Sequence, residues 1–492
     1  MKIWLARMLL TALVFALTPT PAAGNTPLAP LPSTIRVNVS LLGTTYAKIG
    51  STGSLTVTRE DGGKVYQGFA YTVARRGVRR LADPSHALAG VKDPGERRSL
   101  LQLFREAHLR AQVEDIPIMT VPFEFALEGD GSDPLSAPLF SAQQITTLHY
   151  VASGGLLTFN GRAYRGTLDI TRDDEGDMIV VNEVDTASYL ASVIGSEEPT
   201  TWMPEALAAQ AIAARTYLSR HLRKHDNYDL EGDTRDQEYD GIAGEAESTV
   251  KAVQRTAGMI ATYRGAAIEA LYSANAGGVT EDSESVFANA LPYLRSVPSP
   301  GDEIAKNSSF GRTSWEWDRE FTAPLLADYM RLRGLDVGTP TKIEVLGKTA
   351  AGRPLLTRVT GTTGSKELTM ERARYYFGLK SNFFTPVQLP AQTEWVSPRD
   401  TARLRDMDVL GATRVSQNWD FTFDETGRRK GIVVTEILYQ LPARFDFVGK
   451  GFGHSVGMSQ WGAQGMALGG ANYEQILKHY YTGIQLTNVG GA

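Results

Sequence analysis

The chain has 492 residues, of which 42% are hydrophobic and 21% charged, and this ordinary composition excludes a disordered, collagen-like or coiled-coil protein. A net charge of −5 argues against a general nucleic-acid-binding surface, which usually carries a concentrated basic excess. The absence of cysteine excludes disulfides, thiolate catalysis and cysteine-based zinc sites.

The N-terminus has the three-part pattern of a secretory signal peptide. Lys2 and Arg7 precede an apolar run from Met8 to Leu17, and small residues follow at 22–24. We therefore expect residues 1–23 to be a signal peptide and the mature protein to be secreted or periplasmic. A buried N-terminal helix is the alternative, but the run is not amphipathic. No later stretch approaches the roughly 20 apolar residues that span a bilayer.

The next part of the chain predicts a small N-terminal α/β region. Residues 24–33 hold three prolines and predict an extended leader. Residues 34–150 alternate short β-like runs with a helix pattern at 95–112 and a strand pattern at 114–123, before a turn-rich break at 131–138. This order resembles the glycan-binding repeat of sporulation-related cell-wall proteins, which would make the region a wall-binding module.

Residues 156–185 predict a β-meander that leads into two helices. Asn160-Gly161 and an acidic turn at 173–176 separate the strand patterns. A short helix follows, capped by Asp185 or Thr186 and ending at Gly195. A second helix begins at Pro204. Its apolar residues recur at helical spacing, at Leu207, Ala211, Ala214, Leu218 and Leu222.

The adjacent Glu197 and Glu198 lie between these helices, where Pro199 and Trp202 can restrict the loop. A carboxyl group held between apolar helices is partly desolvated, which raises its pKa and keeps it protonated, as a general acid must be. Position alone does not decide which of the two glutamates takes this place. The alternative is a solvated surface glutamate at a helix end.

The last third predicts further mixed structure. Helix patterns at 322–334 and 369–378 enclose strand patterns at 341–348 and 354–361. Residues 397–430 are rich in charged and polar residues and predict an insertion or an exposed loop.

Three more blocks combine glycines with polar side chains. The closing segment 451–483 carries His454 and Gln460, and its spacing does not match a phosphate-binding loop. Either its backbone packs tightly and presents polar groups to a groove, or His454 is a hydrogen-bonded core residue. Residues 269–287 can let a substrate approach the backbone or form a plain turn. Residues 233–245 offer Gln237 and Tyr239.

Metal and serine chemistry are not indicated. His221 and His225 have the spacing of a zincin helix, but Leu222 stands where that motif needs a glutamate, so we expect a solvated helix end. The chain lacks a convincing Gly-x-Ser-x-Gly elbow. We therefore expect no metal and no cofactor.

Together these blocks resemble the family of stage II sporulation protein D, the SpoIID/LytB domain. The likeness covers residues 150–303 and 340–487 and is most specific at 180–218 and 451–483. It implies an α+β fold of mixed β-sheets with a helical catalytic core at 151–303, completed by residues 304–492, beside the smaller N-terminal α/β region.

The resemblance implies a lytic transglycosylase that acts on peptidoglycan glycan strands, in some members on strands without stem peptides. The family's catalytic glutamate opens a Glu-Met-Pro triplet and matches Glu197, with Glu198 replacing the methionine and Pro199 retained. Glu197 would protonate the oxygen between N-acetylmuramic acid and N-acetylglucosamine. Its carboxylate would then take the proton of the C6 hydroxyl, which closes on C1 to give a 1,6-anhydro end.

The resemblance also assigns groove positions, and it leaves two alternatives to catalysis. Some relatives bind zinc through cysteine and histidine, a site that this chain cannot form. The chain could instead be a non-catalytic enhancer of a cell-wall amidase, or a glycan-anchored scaffold. Gln210 and Arg215 can be structural, with Arg215 pairing with an acid. The expected substrate-binding residues are Gln210, Arg215, Tyr239, Ser273, Gly277, Gly278, Thr280, His454 and Gln460.

Overall fold

The computed structural model describes residues 28–40, 46–59, 62–75, 125–128, 147–172, 178–287, 289–309, 311–396, 411–423, 425–426 and 428–490. The signal peptide and the patterns at 95–112, 114–123 and 131–138 lie outside these residues. The described residues up to Ile304, together with those from Ser455 onward, form one compact unit, and those from Ala305 to His454 form a second. The closing segment therefore returns to the first unit.

The first unit opens with a large mixed sheet. Its strands are β1 (Thr34–Asn38), β2 (Tyr46–Arg59), β3 (Lys64–Arg75), β4 (Phe125–Glu128), β5 (Leu148–Ser153), β6 (Leu157–Phe159), β7 (Arg162–Tyr164), β8 (Thr167–Arg172), β9 (Met178–Asp185) and β10 (Leu230–Glu231). Their order is β10-β1-β9-β8-β5-β2-β3-β4, with β6 paired to β2 and β7 to β6. The β1–β10 pair is parallel, whereas the other pairs are antiparallel.

This topology changes two expectations. Strand β1 pairs with β9, β2 pairs with β5, and β5 pairs with β8. Residues on both sides of position 150 therefore build one sheet and one core. The predicted boundary at 150 therefore does not separate two compact units. The predicted meander is two hairpins, β6–β7 and β8–β9, because β8 takes β5 as its other neighbour.

Among the described residues up to 304, four α-helices and three short strands complete the first unit. They are α1 (Thr186–Glu197), α2 (Pro204–His221), α3 (Glu247–Arg255), β11 (Met259–Tyr263), β12 (Ala266–Ala267), β13 (Tyr272–Ser273) and α4 (Ser283–Phe287). Asp185 caps α1 by accepting a hydrogen bond from the Ser188 N–H at 2.8 Å. The helix runs on to Glu197, so the predicted end at Gly195 is wrong.

Helix α2 is buried on both faces. Ala206 through Leu218 are all buried, which leaves the helix without a solvated stripe over these turns. Leu207, Ala211 and Ala214 pack in the core beneath the large sheet, whereas Ala209 and Ile212 pack in a second core. The many alanines allow close approach on each side, so this helix joins the two halves of the unit.

Among the described residues, the second unit contains three small sheets. Its elements are α5 (Arg312–Trp315), β14 (Glu316–Thr322), α6 (Ala323–Leu332), β15 (Pro340–Lys348), β16 (Pro354–Gly361), β17 (Gly364–Thr369), α7 (Met370–Phe377), β18 (Phe383–Leu389), β19 (Gln392–Val396), β20 (Gly411–Phe423), β21 (Arg429–Leu441) and β22 (Arg444–Lys450). The sheet orders are β14-β22-β18, β15-β16-β17 and β19-β21-β20. The helices and strands predicted between 322 and 378 are confirmed.

Residues 411–423 correct the expectation of a loop at 397–430. They form β20, paired with β21 from Gly411 opposite Gln440 to Phe423 opposite Arg429. Polar residues do not prevent this pairing, because the backbone supplies the ladder hydrogen bonds. Residues 397–410 lie outside the described part.

The closing segment packs against α2 in the first unit. It contains β23 (Met458–Ser459), α8 (Gln460–Leu468), α9 (Tyr473–Tyr480) and β24 (Gln485–Asn488). Strand β23 pairs in parallel with β13, and β24 pairs with β11. The fold is therefore α+β, as expected. Within the described residues, no helix is long and apolar enough to cross a membrane.

Gly195 sets how closely α1 approaches the 3₁₀ turn Gly241–Gly244. A Cβ at Gly195 would lie 1.9 Å from the Gly244 carbonyl oxygen. We expect Gly195→Ala to lower the free energy of unfolding by about 1–3 kcal/mol, because the helix end must move away. Chemical denaturation measures the loss. Gly364→Ala is the control, since its Cβ would meet no atom within 4 Å. Equal stability of both variants would contradict the close approach.

Candidate active site

Glu197 is the last residue of α1 and lies where three distant segments meet. Its Oε1 accepts the Glu238 N–H at 3.0 Å, and its Oε2 accepts the Gln460 Nε2–H at 3.2 Å. The Tyr272 hydroxyl also donates to this carboxyl group. The residue as a whole is only partly buried. The hydrogen-bond donors that hold the Glu197 carboxyl group are therefore all uncharged.

The pKa of Glu197 is raised above its ordinary value. Burial of the carboxyl group is the main cause, and the hydrogen bonds from Glu238, Gln460 and Tyr272 act in the opposite direction. Burial disfavours the charged form, whereas the donors stabilise it. Burial therefore favours the protonated form of Glu197, and the donors stabilise the carboxylate after the proton is lost.

A chain of buried polar groups supports Tyr272. Its hydroxyl oxygen accepts the Gln237 Nε2–H at 2.9 Å, and Gln237 Oε1 accepts the Tyr189 hydroxyl at 3.1 Å. Burial raises the pKa of both tyrosines well above 10, so they stay protonated donors. The sequence pointed to the block that contains Gln237 but missed Tyr272, which precedes the predicted Ser273.

Glu198 has a different environment from its neighbour. The residue is 2% exposed, and neither carboxyl oxygen has a hydrogen-bond partner among the described residues. Burial raises the pKa of Glu198 well above 4.5, and the charge of Glu197 raises it further. Burial therefore favours the neutral form of Glu198, whereas Glu197 accepts hydrogen bonds from the donor network.

Gln460 is the predicted groove residue that contacts Glu197. It opens α8, whose N-cap Ser459 accepts the Gly462 N–H. The next residue, Trp461, packs edge-on against Trp202 with ring centroids 4.8 Å apart. Trp202 thus restrains the loop after Glu197, as the sequence predicted, and its partner lies beside Gln460.

The predicted block 273–280 lies beside the network and is held mostly by its own contacts. Ser273 is buried, and its hydroxyl lacks a partner in the described part of the chain. Gly277 and Gly278 have φ of 70° and 98°, a region that favours glycine. Their N–H groups donate to Asn275 and Asp302. Thr280 is buried and accepts the Val297 N–H at 2.8 Å.

Asp302 is a site residue that sequence analysis missed. Its Oδ2 accepts the Gly278 N–H at 3.0 Å, and its Oδ1 accepts the Ser459 hydroxyl. Burial raises its pKa to about 6, against the effect of these donors. Asp302 therefore ties the glycine turn to the residue before Gln460. Asp302 directly follows Pro300 and Gly301, and this turn pattern is the signal in the sequence that could have indicated it.

Three other predicted substrate-binding residues, Gln210, Arg215 and Tyr239, are buried in the protein interior. Gln210 is fully buried on α2, and its amide has no partner among the described residues. Arg215 donates to the Val253 carbonyl oxygen on α3 and to the Met259 carbonyl oxygen at the start of β11, and burial lowers its pKa to about 10. The Tyr239 hydroxyl donates to Asn182 at 2.7 Å, and its ring packs on other tyrosines. Arg215 and Tyr239 thus contribute to packing.

The histidines singled out in the sequence do not lie together in the structure. His454 belongs to the second unit, where its carbonyl oxygen accepts the Asn382 Nδ2–H at 2.8 Å. His221 ends α2 and contacts Glu269 at 2.6 Å, so the expected solvated helix end is wrong. His225 lies beyond the helix. The described residues contain no group of three or more acidic or histidine side chains able to hold a metal.

Comparison with known proteins identifies the family. The family model described as stage II sporulation protein, SpoIID, matches residues 174–263. An uncharacterized protein of Brachyspira hyodysenteriae is 30% identical over 335 residues, which cover 67% of this chain and 74% of that protein. The chain belongs to the SpoIID family. This family is related to the cell wall, and the family resemblance inferred from sequence is confirmed.

Two relatives from Bacillus subtilis carry names that suggest different functions. Stage II sporulation protein D is 28% identical, over 62% of this chain and 76% of its own length. A protein named amidase enhancer is 27% identical, over 61% of this chain but only 40% of its own length. The SpoIID model range contains Glu197, Gln237 and Glu238, whereas Tyr272 and Gln460 lie beyond it.

Glu198 should make the stability of this SpoIID protein depend on pH. A buried acid whose folded-state pKa is raised loses stability as pH rises from its unfolded value of 4.5 toward the folded value. We expect Glu198→Met to raise the free energy of unfolding by about 1–3 kcal/mol at pH 7, since it removes an unpaired buried polar group.

Thermal unfolding from pH 5 to 8 tests this expectation. The advantage of Glu198→Met over the unmodified protein should grow with pH. Glu474→Met is the control, because Glu474 is exposed on α9 and pairs with Lys478. A constant difference between Glu198→Met and the unmodified protein across this range would show that Glu198 does not titrate as a buried group.

Proposed function

We propose that this protein is a peptidoglycan lytic transglycosylase. It cleaves the bond between N-acetylmuramic acid and N-acetylglucosamine and leaves 1,6-anhydro-N-acetylmuramic acid ends. The observation that carries the proposal is the Glu197 carboxyl group, which has a raised pKa, belongs to a partly exposed residue and accepts hydrogen bonds from Glu238 and Gln460. The family resemblance supplies the reaction class.

In the first step Glu197 acts as a general acid. Its carboxyl proton passes to the glycosidic oxygen as the bond to C1 breaks. The raised pKa favours the protonated form, which is the form that this step requires. A basic residue beside Glu197 would favour loss of that proton. In the described part of the chain, no basic residue contacts the Glu197 carboxyl group.

In the second step the resulting carboxylate is stabilised by the donors that already surround it. The Glu238 N–H and the Gln460 amide keep their positions, so no reorganisation is needed when the charge appears. A base then takes the proton of the C6 hydroxyl, whose oxygen bonds to C1. In the simplest form of the proposal, Glu197 is also this base.

The substrate is a glycan strand, and strands without stem peptides are included. The N-terminal signal pattern supports a location outside the cytoplasmic membrane, where peptidoglycan lies. No metal or cofactor takes part in the proposed steps.

The relative named amidase enhancer favours a second candidate. In that case the protein binds glycan without cleaving it and stimulates a separate cell-wall amidase. The raised pKa and the donor network of Glu197 favour the transglycosylase, because a purely structural carboxyl would not require this combination.

Glu197→Gln should abolish formation of 1,6-anhydro ends. Loss of a general acid costs about 10²–10⁴ in rate. The mature protein and the variant are incubated with intact peptidoglycan and with amidase-stripped strands, and the products are read by mass spectrometry. Glu198→Gln is the matched control, since it changes the neighbouring glutamate in the same way and should keep the activity.

Each outcome decides between the candidates. Anhydro ends that appear with the unmodified protein and Glu198→Gln, but not with Glu197→Gln, support the proposed acid. Glycan binding without anhydro ends by all three proteins would favour the amidase enhancer.

Tyr272→Phe tests the donor network. The Tyr272 hydroxyl lowers the pKa of Glu197, so its removal should raise that pKa. The acid is the protonated form, and activity should therefore persist to higher pH in the variant. The pH profile of anhydro-end formation measures this shift. An unchanged descending limb would show that Tyr272 does not influence the acid.

A further inference from the structure

Glu238 brings a second carboxyl group to the site. Its backbone N–H donates to Glu197 Oε1 at 3.0 Å, which fixes this residue beside the acid. The residues on either side, Gln237 and Tyr239, are buried, whereas Glu238 itself is partly exposed. Among the described residues its carboxyl group has no hydrogen bond and no ion pair.

The charges around Glu238 are mostly negative. Its carboxyl group interacts electrostatically with the negative charges of Glu197, Asp233 and Asp240, and the nearby cation is Arg162. Arg162 is itself paired with Asp240, which offsets its charge. Burial is the main cause of a pKa raised to about 7, followed by the charge of Glu197. The group therefore exchanges a proton near neutral pH and has solvent access to do so.

We propose that Glu238 is the base of the reaction and that Glu197 is only its acid. This inference rests on the proposed function and divides the two proton transfers between two carboxyl groups. The Glu197 proton moves to the glycosidic oxygen as the bond from that oxygen to C1 breaks. The C6 hydroxyl oxygen bonds to C1, and its proton moves to the Glu238 carboxylate.

The coupling between the two groups assists this sequence. When Glu197 loses its proton, its new negative charge raises the proton affinity of Glu238. Glu238 thus becomes a stronger base at the moment when the C6 hydroxyl must be deprotonated. Afterwards Glu238 returns its proton to solvent and Glu197 takes one up, so the cycle closes without any other reactant.

The pH profile distinguishes one carboxyl group from two. A base must be ionised and an acid protonated, so the unmodified protein should give a bell-shaped profile that belongs to the coupled pair. Glu238→Gln should lower the rate of anhydro-end formation by about 100-fold or more. The remaining activity should lose its ascending limb and fall only with rising pH. The backbone donor to Glu197 is kept in this variant.

Two further variants separate catalysis from folding. Glu238→Asp keeps a carboxyl group and should restore part of the rate together with the ascending limb. Asp233→Asn removes one of the charges that raise the pKa of Glu238, so it should move the ascending limb to lower pH while keeping the maximal rate. Circular dichroism checks that each variant is folded.

The outcomes also separate this inference from the proposed function. Full activity and an unchanged profile in Glu238→Gln would overturn the role of Glu238 while leaving Glu197 as acid and base. Ordinary reducing ends in place of anhydro ends, from the unmodified protein, would overturn the proposed function and this inference with it.

Discussion

The hydrogen bonds to the Glu197 carboxyl group are the constraint on which the site depends. They join the end of α1 to a segment 41 residues away and to the start of α8, 263 residues away. Each segment is fixed by contacts of its own. Gly195 lets α1 pack on the 241–244 turn, and Asp302 holds the residue before Gln460. A change in any of these supports would alter the surroundings of one carboxyl group.

The two adjacent glutamates show how local donors decide the chemistry of buried acids. Burial raises the pKa of both, but Glu197 has three donors that stabilise its charged form and Glu198 has none among the described residues. The surroundings of Glu198 therefore favour its neutral form alone, whereas those of Glu197 also stabilise its carboxylate. A general acid that must later carry a charge needs this balance.

Local signals in the sequence predicted the parts of the fold that depend on neighbouring residues. The cap at Asp185, the start of α2 at Pro204 and the helices of the second unit follow from short patterns. The boundary at 150 failed because β2 pairs with β5 and β6 across about a hundred residues, and such pairing leaves no local mark. Likewise, the family motif indicated Glu197, but only the fold shows that Glu198 turns inward.

The segment 237–239 shows that side-chain type alone does not tell which polar residues belong to the donor network. Both Gln237 and Tyr239 are buried, yet Gln237 bonds to Tyr272 and Tyr239 to Asn182. One therefore supports the donor network and the other the core beneath the sheet. The residue between them, Glu238, is set apart by its partial exposure and its backbone bond to Glu197. Packing of its two neighbours thus fixes the position of a carboxyl group that has no partner of its own in the described chain.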